Sequence, residues 1–497
     1  MKFSILGHEM LDIIPPVDAT PLECGWSTTT TSQPNPSPPR RRKYPTIEYI
    51  IRPSIFSSED DDICITQPVP GGNETSNGFK PRPPWSAKYT DFSGLYVGFW
   101  LMLVSMVMQP LIKRWNEGDV VLELKLVRLS MTRLQELAVA EIVLNSITFS
   151  CLWWQLAVFK WGILWSPYGK ILQSAFEIGF LISSVSWLTY IDWPWPHSIF
   201  FMLHTVVHLM KIHSYCFYNG YLSGIYQQLQ QLPSNSRYDL REQLLFELTS
   251  PLGNVRYPAN LTIGNTIDWL LVPSVCYELE YPRVPRVRRL VLIQRILGLI
   301  TSIVIFYLQV EFYVLPVISH AQSAISKPHS RATTIRILLS TTLQLMCPIV
   351  TSCCLAFVII WELVLNISAE ITRFGDRLFY ADFWNAVNQS DLARMWNLPV
   401  HHFLWRHVYS PLSHATHSKT HAMRLTFLVS ALVHELVACV AVRKWKGWLF
   451  TLQLAQLGMI AVQMMDRVRD KRLYGKIFVW TSFIFGVSLN FAIYLVT

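Results

Sequence analysis

Runs of about twenty apolar residues recur along this chain, each long enough to cross a hydrocarbon core of roughly 30 Å as a helix. Lipid offers no partner to an open backbone N–H or C=O, so such runs can only be helical. Nine segments qualify: Phe92–Ile112, Ala138–Phe159, Ile171–Ile191, His197–Tyr218, Leu290–Leu315, Thr333–Leu363, Met423–Val442, Trp448–Met465 and Gly475–Val496. The expected fold class is an all-α polytopic membrane protein with about nine transmembrane helices. Of 497 residues, 51% are hydrophobic and only 15% charged, which excludes an ordinary soluble enzyme. Two domains are expected. Residues 1–88, rich in Pro, Ser, Thr and charge (SQPNPSPPRRRK, SSEDDD), read as a disordered cytosolic tail, and 89–497 as the membrane domain.

The charges orient the chain. An odd number of crossings places the termini on opposite sides. A cytosolic N-terminus puts YPRVPRVRR (Tyr281 to Arg289) and RVRDKRLYGK (Arg467 to Lys476) in the cytosol and uncharged IDWPWPH in the lumen save for its Asp. Two loops disagree: Lys113 to Arg133 is mixed, and RKWK (Arg443 to Lys446) would be luminal. The net charge of +9 is dispersed through loops and fits anionic lipid or an anionic substrate better than nucleic acid. Seven of the nine cysteines lie in or beside apolar runs, where a thiol acts as a small hydrophobe. No cleavable signal peptide is expected, because MKFSILGHEMLDIIPP has too short an apolar stretch and is broken by prolines.

Two long polar segments, Asn219 to Arg289 and Asn366 to Thr420, are expected in the cytosol. The second contains NISAEITRFGDRLFY, whose Glu370, Arg373 and Arg377 fall at i, i+3 and i+7 and predict an amphipathic interfacial helix. It also contains FYADFWN, in which rings are interrupted by Asp382 and Asn385, and the histidines 401, 402, 407, 414, 417 and 421. His434 stands in the apolar run SALVHELVACVAV. A titratable pair such as His434–Glu435 is costly inside a membrane and marks a functional site, or else a histidine bonded to a neighbouring helix.

Metal chemistry fits poorly. VHELVA lacks the second histidine of H-E-x-x-H. His204/His208 and His417/His421 each share a helical face but lack the further ligands of a di-iron site, so no metal is expected. No G-x-S-x-G elbow surrounds Ser430. A lone imidazole in a membrane cavity suits general base catalysis on a lipid alcohol. An anionic acyl carrier would account for Arg377, Arg394, Arg406 and Lys419 beside the rings. A transporter or lipid-binding protein could use the same intramembrane groups.

RFGDRLFYADFWN, then MWNLPVHHFLWRHVY, then SALVHEL resemble the membrane-bound O-acyltransferase family, in its sterol and diacylglycerol O-acyltransferase branch. FYADFWN is similar to that branch's FYxDWWN, with Phe383 in place of the first tryptophan. The likeness runs from about Phe92 to the end of the chain. MKIHSYCFYNGYL and KYTDFSGLYVGFW resemble the fungal sterol acyltransferases, while CYELEYPRVPRVR is similar to both subgroups.

The resemblance implies a fold with an internal reaction chamber in the endoplasmic reticulum membrane, and transfer of a long-chain acyl group from acyl-CoA to a sterol hydroxyl. Diacylglycerol is the alternative acceptor. It implies His434 as catalytic base with Asn385 beside the thioester. Tyr380, Trp384, Trp396, His401, Arg406 and Ser430 are expected on the acyl-CoA path, with Pro399 opening a short helix that puts His402 and Arg406 on one face. Tyr215 and Tyr218 are expected to line a flat slot for the acceptor. Acyl-CoA is a substrate here, no cofactor is implied, and a homo-oligomer (dimer or tetramer) is expected.

Overall fold

The computed structural model describes residues 93–118, 124–233, 238–328, 330–463, 465 and 471–496; the expected tail, 1–88, lies outside them. Among the described residues the chain is helical, with two isolated β-bridges, Thr249 to Arg256 and Arg283 to Phe374. Each of the nine expected segments overlaps a helix over its described residues. Six are long and apolar enough to cross a membrane: Leu134–Lys160, Trp165–Ile191, Arg289–Ile325, Arg331–Ile371, Lys419–Val442 and Arg472–Val496. The other three segments lie on Ser93–Glu117, on Trp195–Gln230 and on Trp448–Gln463, which has 16 residues.

Three helices outrun their apolar segments by ten residues or more: Trp195–Gln230, Arg289–Ile325 and Arg331–Ile371. Arg331–Ile371, with 41 residues, is about 60 Å long at 1.5 Å per residue, twice a hydrocarbon core. The last two each contain a π-helical turn, Val310–Val314 or Val358–Val364. Such turns insert a residue and re-aim side chains. Glu311, in the first, turns inward and accepts the N–H groups of Lys125 (3.2 Å) and Leu126 (2.8 Å), so its carboxylate caps the Lys125–Met131 helix.

The described residues divide into two compact units. One takes the described parts of Leu137–Tyr281 and Tyr380–Asp470; the other takes those of Ile50–Glu136, Pro282–Phe379 and Lys471–Thr497. In the second unit, Leu103, Val107, Ile305, Leu308 and Leu355 form one apolar cluster. Leu126, Val310, Val314, Ile318, Leu345, Ile349 and Ala492 form another.

The expected amphipathic helix through Arg377 is not formed. The helix stops at Ile371, and Arg373 takes a left-handed backbone conformation (φ 56°) that turns the chain. Glu370 is fully buried and receives Arg288 through both backbone N–H (2.7 Å) and guanidinium (3.1 Å), while Arg377 lies 2.7 Å away. Arg295 stands at 3.9 Å. Of the charges spaced for a lipid surface, Arg377 instead joins Arg288 and Arg295 at the buried Glu370 carboxylate. Val284 N–H to Arg373 O and Gly375 N–H to Pro282 O (both 2.8 Å) then zip residues 282–284 to 373–375, where a Cβ on Gly375 would press on the Pro282 carbonyl.

Candidate active site

The first unit carries every residue expected at the site. Lys419–Val442 begins at Ser418, whose hydroxyl accepts the His421 N–H, and ends at Arg443 in the left-handed region. Arg443 pairs with Asp192 and donates to the Trp193 carbonyl (3.0 Å), fastening this helix end to the turn before Trp195–Gln230. Four residues apart on one helical face, Ser430 and His434 are joined directly: the imidazole Nδ1 lies 2.8 Å from the Ser430 carbonyl oxygen. A carbonyl can only accept, so Nδ1 carries a proton, and in the neutral ring the lone pair is on Nε2. The residue is exposed. His434 therefore has the tautomer a general base needs.

Glu435 points the other way. Its buried carboxylate accepts the N–H of Gly447 (2.7 Å), the N–H of Phe450 (2.9 Å) and the Cys439 thiol (3.0 Å). It caps the start of Trp448–Gln463 and fixes the turn at Gly447, where a positive φ of 71° calls for glycine. The titratable pair of the sequence is thus divided. Glutamate is spent on architecture, while histidine bonds only to the backbone of its own helix.

FYADFWN forms a compact aromatic turn. Phe383–Asn385 is a single 3-10 turn, and the Phe383 ring lies 5.3 Å from that of Trp384 and 6.4 Å from that of Tyr380. Trp384 is 42% exposed and Asn385 is also exposed. The Ala381 N–H donates to Met395 O (2.8 Å), binding the turn to the end of Gln389–Met395. The Gln389 N–H donates to the Gln463 side chain (3.0 Å), binding the other end to Trp448–Gln463. Neither partner was visible in the sequence, because 74 residues separate Gln389 from Gln463.

Trp396 is exposed at the end of Gln389–Met395. The next helix, Leu398–Phe403, begins as expected with Pro399 in its first turn and Asn397 as its cap. It carries His401 and His402, both half-buried. Burial pushes each imidazole down to about 4, helped at His401 by His402 and Arg394, so both are neutral near pH 7.

Two expectations meet a different geometry. Arg406 was to reach a CoA phosphate from the His402 face. The helix passes into a π-helical turn, Leu404–Tyr409, and Arg406 turns inward to pair with Glu278 at 2.6 Å, its side chain fully buried. Tyr215 and Tyr218 were to line an acceptor slot. They are 1% and 2% exposed and their rings pack edge-on against Tyr277 at 4.8 and 5.9 Å, inside a polar core. There Asn260 donates to Asn219 Oδ1 (2.7 Å) and to the Tyr277 hydroxyl (3.0 Å), which donates to Asn265 (2.7 Å). Nearby, burial pushes the Cys276 thiol up to about 12, against the pull of Arg406, so it is no nucleophile near neutral pH.

No group of three or more metal-ligating side chains is gathered among the described residues; His204 is bound to Glu141 (2.9 Å) and His208 to Thr148 (2.8 Å) instead. What the site offers is one exposed imidazole with a free Nε2, an exposed amide, and a wall of rings. A profile of the membrane-bound O-acyltransferase family matches residues 92–496. The chain belongs to the membrane-bound O-acyltransferase family. It is 36% identical over 465 residues to the probable sterol O-acyltransferase 2 of Schizosaccharomyces pombe, covering 88% of this chain and 98% of that one. It is 32% identical over 433 residues to sterol O-acyltransferase 2 of Saccharomyces cerevisiae (82% and 67%). Diacylglycerol O-acyltransferase 1 of Dictyostelium discoideum is 31% identical over 285 residues (57% and 43%). This membrane-bound O-acyltransferase thus shares near full length with a sterol relative, and less with the diacylglycerol one.

Proposed function

We propose that this chain transfers a long-chain acyl group from acyl-CoA to the 3-hydroxyl of a sterol, in the endoplasmic reticulum membrane and as a dimer or tetramer. The observation that carries the reading is His434: an exposed imidazole on an apolar helix, with Nδ1–H on the Ser430 carbonyl and Nε2 open. Nε2 takes the hydroxyl proton as the sterol oxygen attacks the thioester carbonyl. The C–O bond forms, the C–S bond breaks, and the imidazolium returns its proton to the departing CoA thiolate. No acyl-enzyme and no cofactor enter. Asn385 donates its amide to the thioester oxygen as charge gathers there, and the rings of Tyr380 and Trp384 flank the acyl–pantetheine path with Trp396 and His401.

The near-full-length likeness to sterol relatives favours a sterol over diacylglycerol. The experiment supplies the purified enzyme with labelled oleoyl-CoA and offers ergosterol, cholesterol and diacylglycerol in parallel. Steryl ester is the expected dominant product. Dominant triacylglycerol would move the chain to the diacylglycerol reading with His434 and Asn385 unchanged, and no ester at all would point to a transporter.

A further inference from the structure

Glu278 and Arg406 lie 128 residues apart and meet with both side chains closed to solvent, the Arg406 Nη1–H donating to Glu278 Oε1 at 2.6 Å. The guanidinium also sits 5.0 Å from the centre of the Tyr218 ring. Taking two charges out of water costs so much desolvation that such a pair is a poor stabiliser; its best-attested use is to fix a register.

Both partners are clamped by their surroundings. On the glutamate side, the Tyr277 N–H donates to Ser214 Oγ (2.7 Å), the Glu278 N–H donates to the Tyr281 hydroxyl, and that hydroxyl donates to Cys276 O (both 3.0 Å). Trp269 stacks parallel to the Tyr281 ring. On the arginine side, the successive residues Arg406 and His407 of the π-helical turn are both buried. His407 Nε2 meets Ser214 Oγ at 2.9 Å, and Phe403 packs on Met210, Val275 and Cys276. The same π turn packs against the helix of His434. Just before it in sequence stand His401 and Trp396.

We propose that Glu278 and Arg406 are positioning residues for the acyl-donor side of the reaction. Their pair locks residues 398–409 onto Trp195–Gln230 and the Val275–Tyr281 turn, so that His401 and Trp396 are held where acyl-CoA binds and the His434 helix keeps its place. Neither residue touches substrate. The inference rests on the acyl-transfer reading above.

The test measures kcat and the KM for acyl-CoA in the full-length enzyme for E278Q, R406Q and E278Q/R406Q, at low and high salt. Each single substitution is expected to raise that KM about tenfold, and the double to be no worse than the poorer single. The increase should not depend on salt, since a buried pair is little screened. Were Arg406 a direct phosphate contact, E278Q would release its guanidinium and leave or lower the KM, while R406Q raised it in a salt-dependent way. That outcome overturns the proposal, and so do additive losses. Should the glutamine variants not accumulate as folded protein, the reversed pair E278R/R406E replaces them. Recovery of folding and acyl-CoA KM over E278R and R406E alone supports the lock; a reversed pair as poor as the singles overturns it. Failure of the underlying reading is distinct, because the wild-type chain would then make no ester from acyl-CoA.

Discussion

His434 and Arg406 both read from sequence as polar residues reserved for substrate, yet their surroundings are opposite. The imidazole is exposed and bonded to a backbone carbonyl of its own helix. The guanidinium is enclosed between Glu278 and the Tyr218 ring. A polar side chain among apolar helices has two ways to persist: it can face the space where substrate comes, or be matched inside the protein. The comparison teaches which is which. Removing an exposed group should cost activity without stability, and removing a matched one should cost stability first.

The exposed region offers the largest effect. Asn385→Ala should lower kcat by about 10²–10³, the usual loss for one donor at a developing oxyanion, with the thermal midpoint unmoved. A shifted midpoint would place Asn385 with the matched residues. On the matched side, Glu370→Gln leaves Arg288, Arg295 and Arg377 crowded without their carboxylate and should cost about 3–5 kcal/mol of stability. Arg288→Gln, at the edge of the cluster, should cost less. Thermal unfolding of the two variants side by side checks the ranking.

Glu435 sharpens the contrast because it adjoins His434. Glu435→Gln weakens charge-assisted bonds to Gly447 and Phe450 and should cost about 1.5–3 kcal/mol, with any activity loss following the midpoint. Activity lost at an unchanged midpoint would give Glu435 a direct part in the chemistry.

The smallest effect is in pH. His401 and His402, ordinarily near 6.5, are held at about 4 by burial. The unfolded chain therefore binds more protons than the folded one between those values. Stability is fully present above about 6.5 and falls as pH drops towards 4. Asp376 does the reverse: burial raises it from 3.8 to about 7, against the pull of the Leu378 N–H, so the stability it contributes is lost as pH rises through 7. Midpoints measured from pH 4 to 8 should respond less to acid in His401→Gln and less to base in Asp376→Asn.

Much of this was legible in the sequence, for definite reasons. Apolar run length located the helices, because lipid leaves the backbone no alternative. Ser430 and His434 could be placed on one face by their four-residue spacing. Spacing failed where helical periodicity did. Arg377 lay seven residues beyond Glu370 on an assumed helix, but the left-handed Arg373 broke it. Arg406 left the His402 face because a π turn intervened. Its partner Glu278 and the Glu370 partner Arg288 stand 128 and 82 residues away, beyond any local pattern.

In the proposed reaction His434 Nε2 activates a sterol hydroxyl. The most direct measurement is steryl ester formation from labelled oleoyl-CoA and sterol by the purified wild-type chain and His434→Ala, with thermal midpoints recorded together. Steryl ester is expected from the wild type, with a loss of about 10²–10⁴-fold in the variant and equal midpoints. A folded variant that kept most of its turnover would contradict that role.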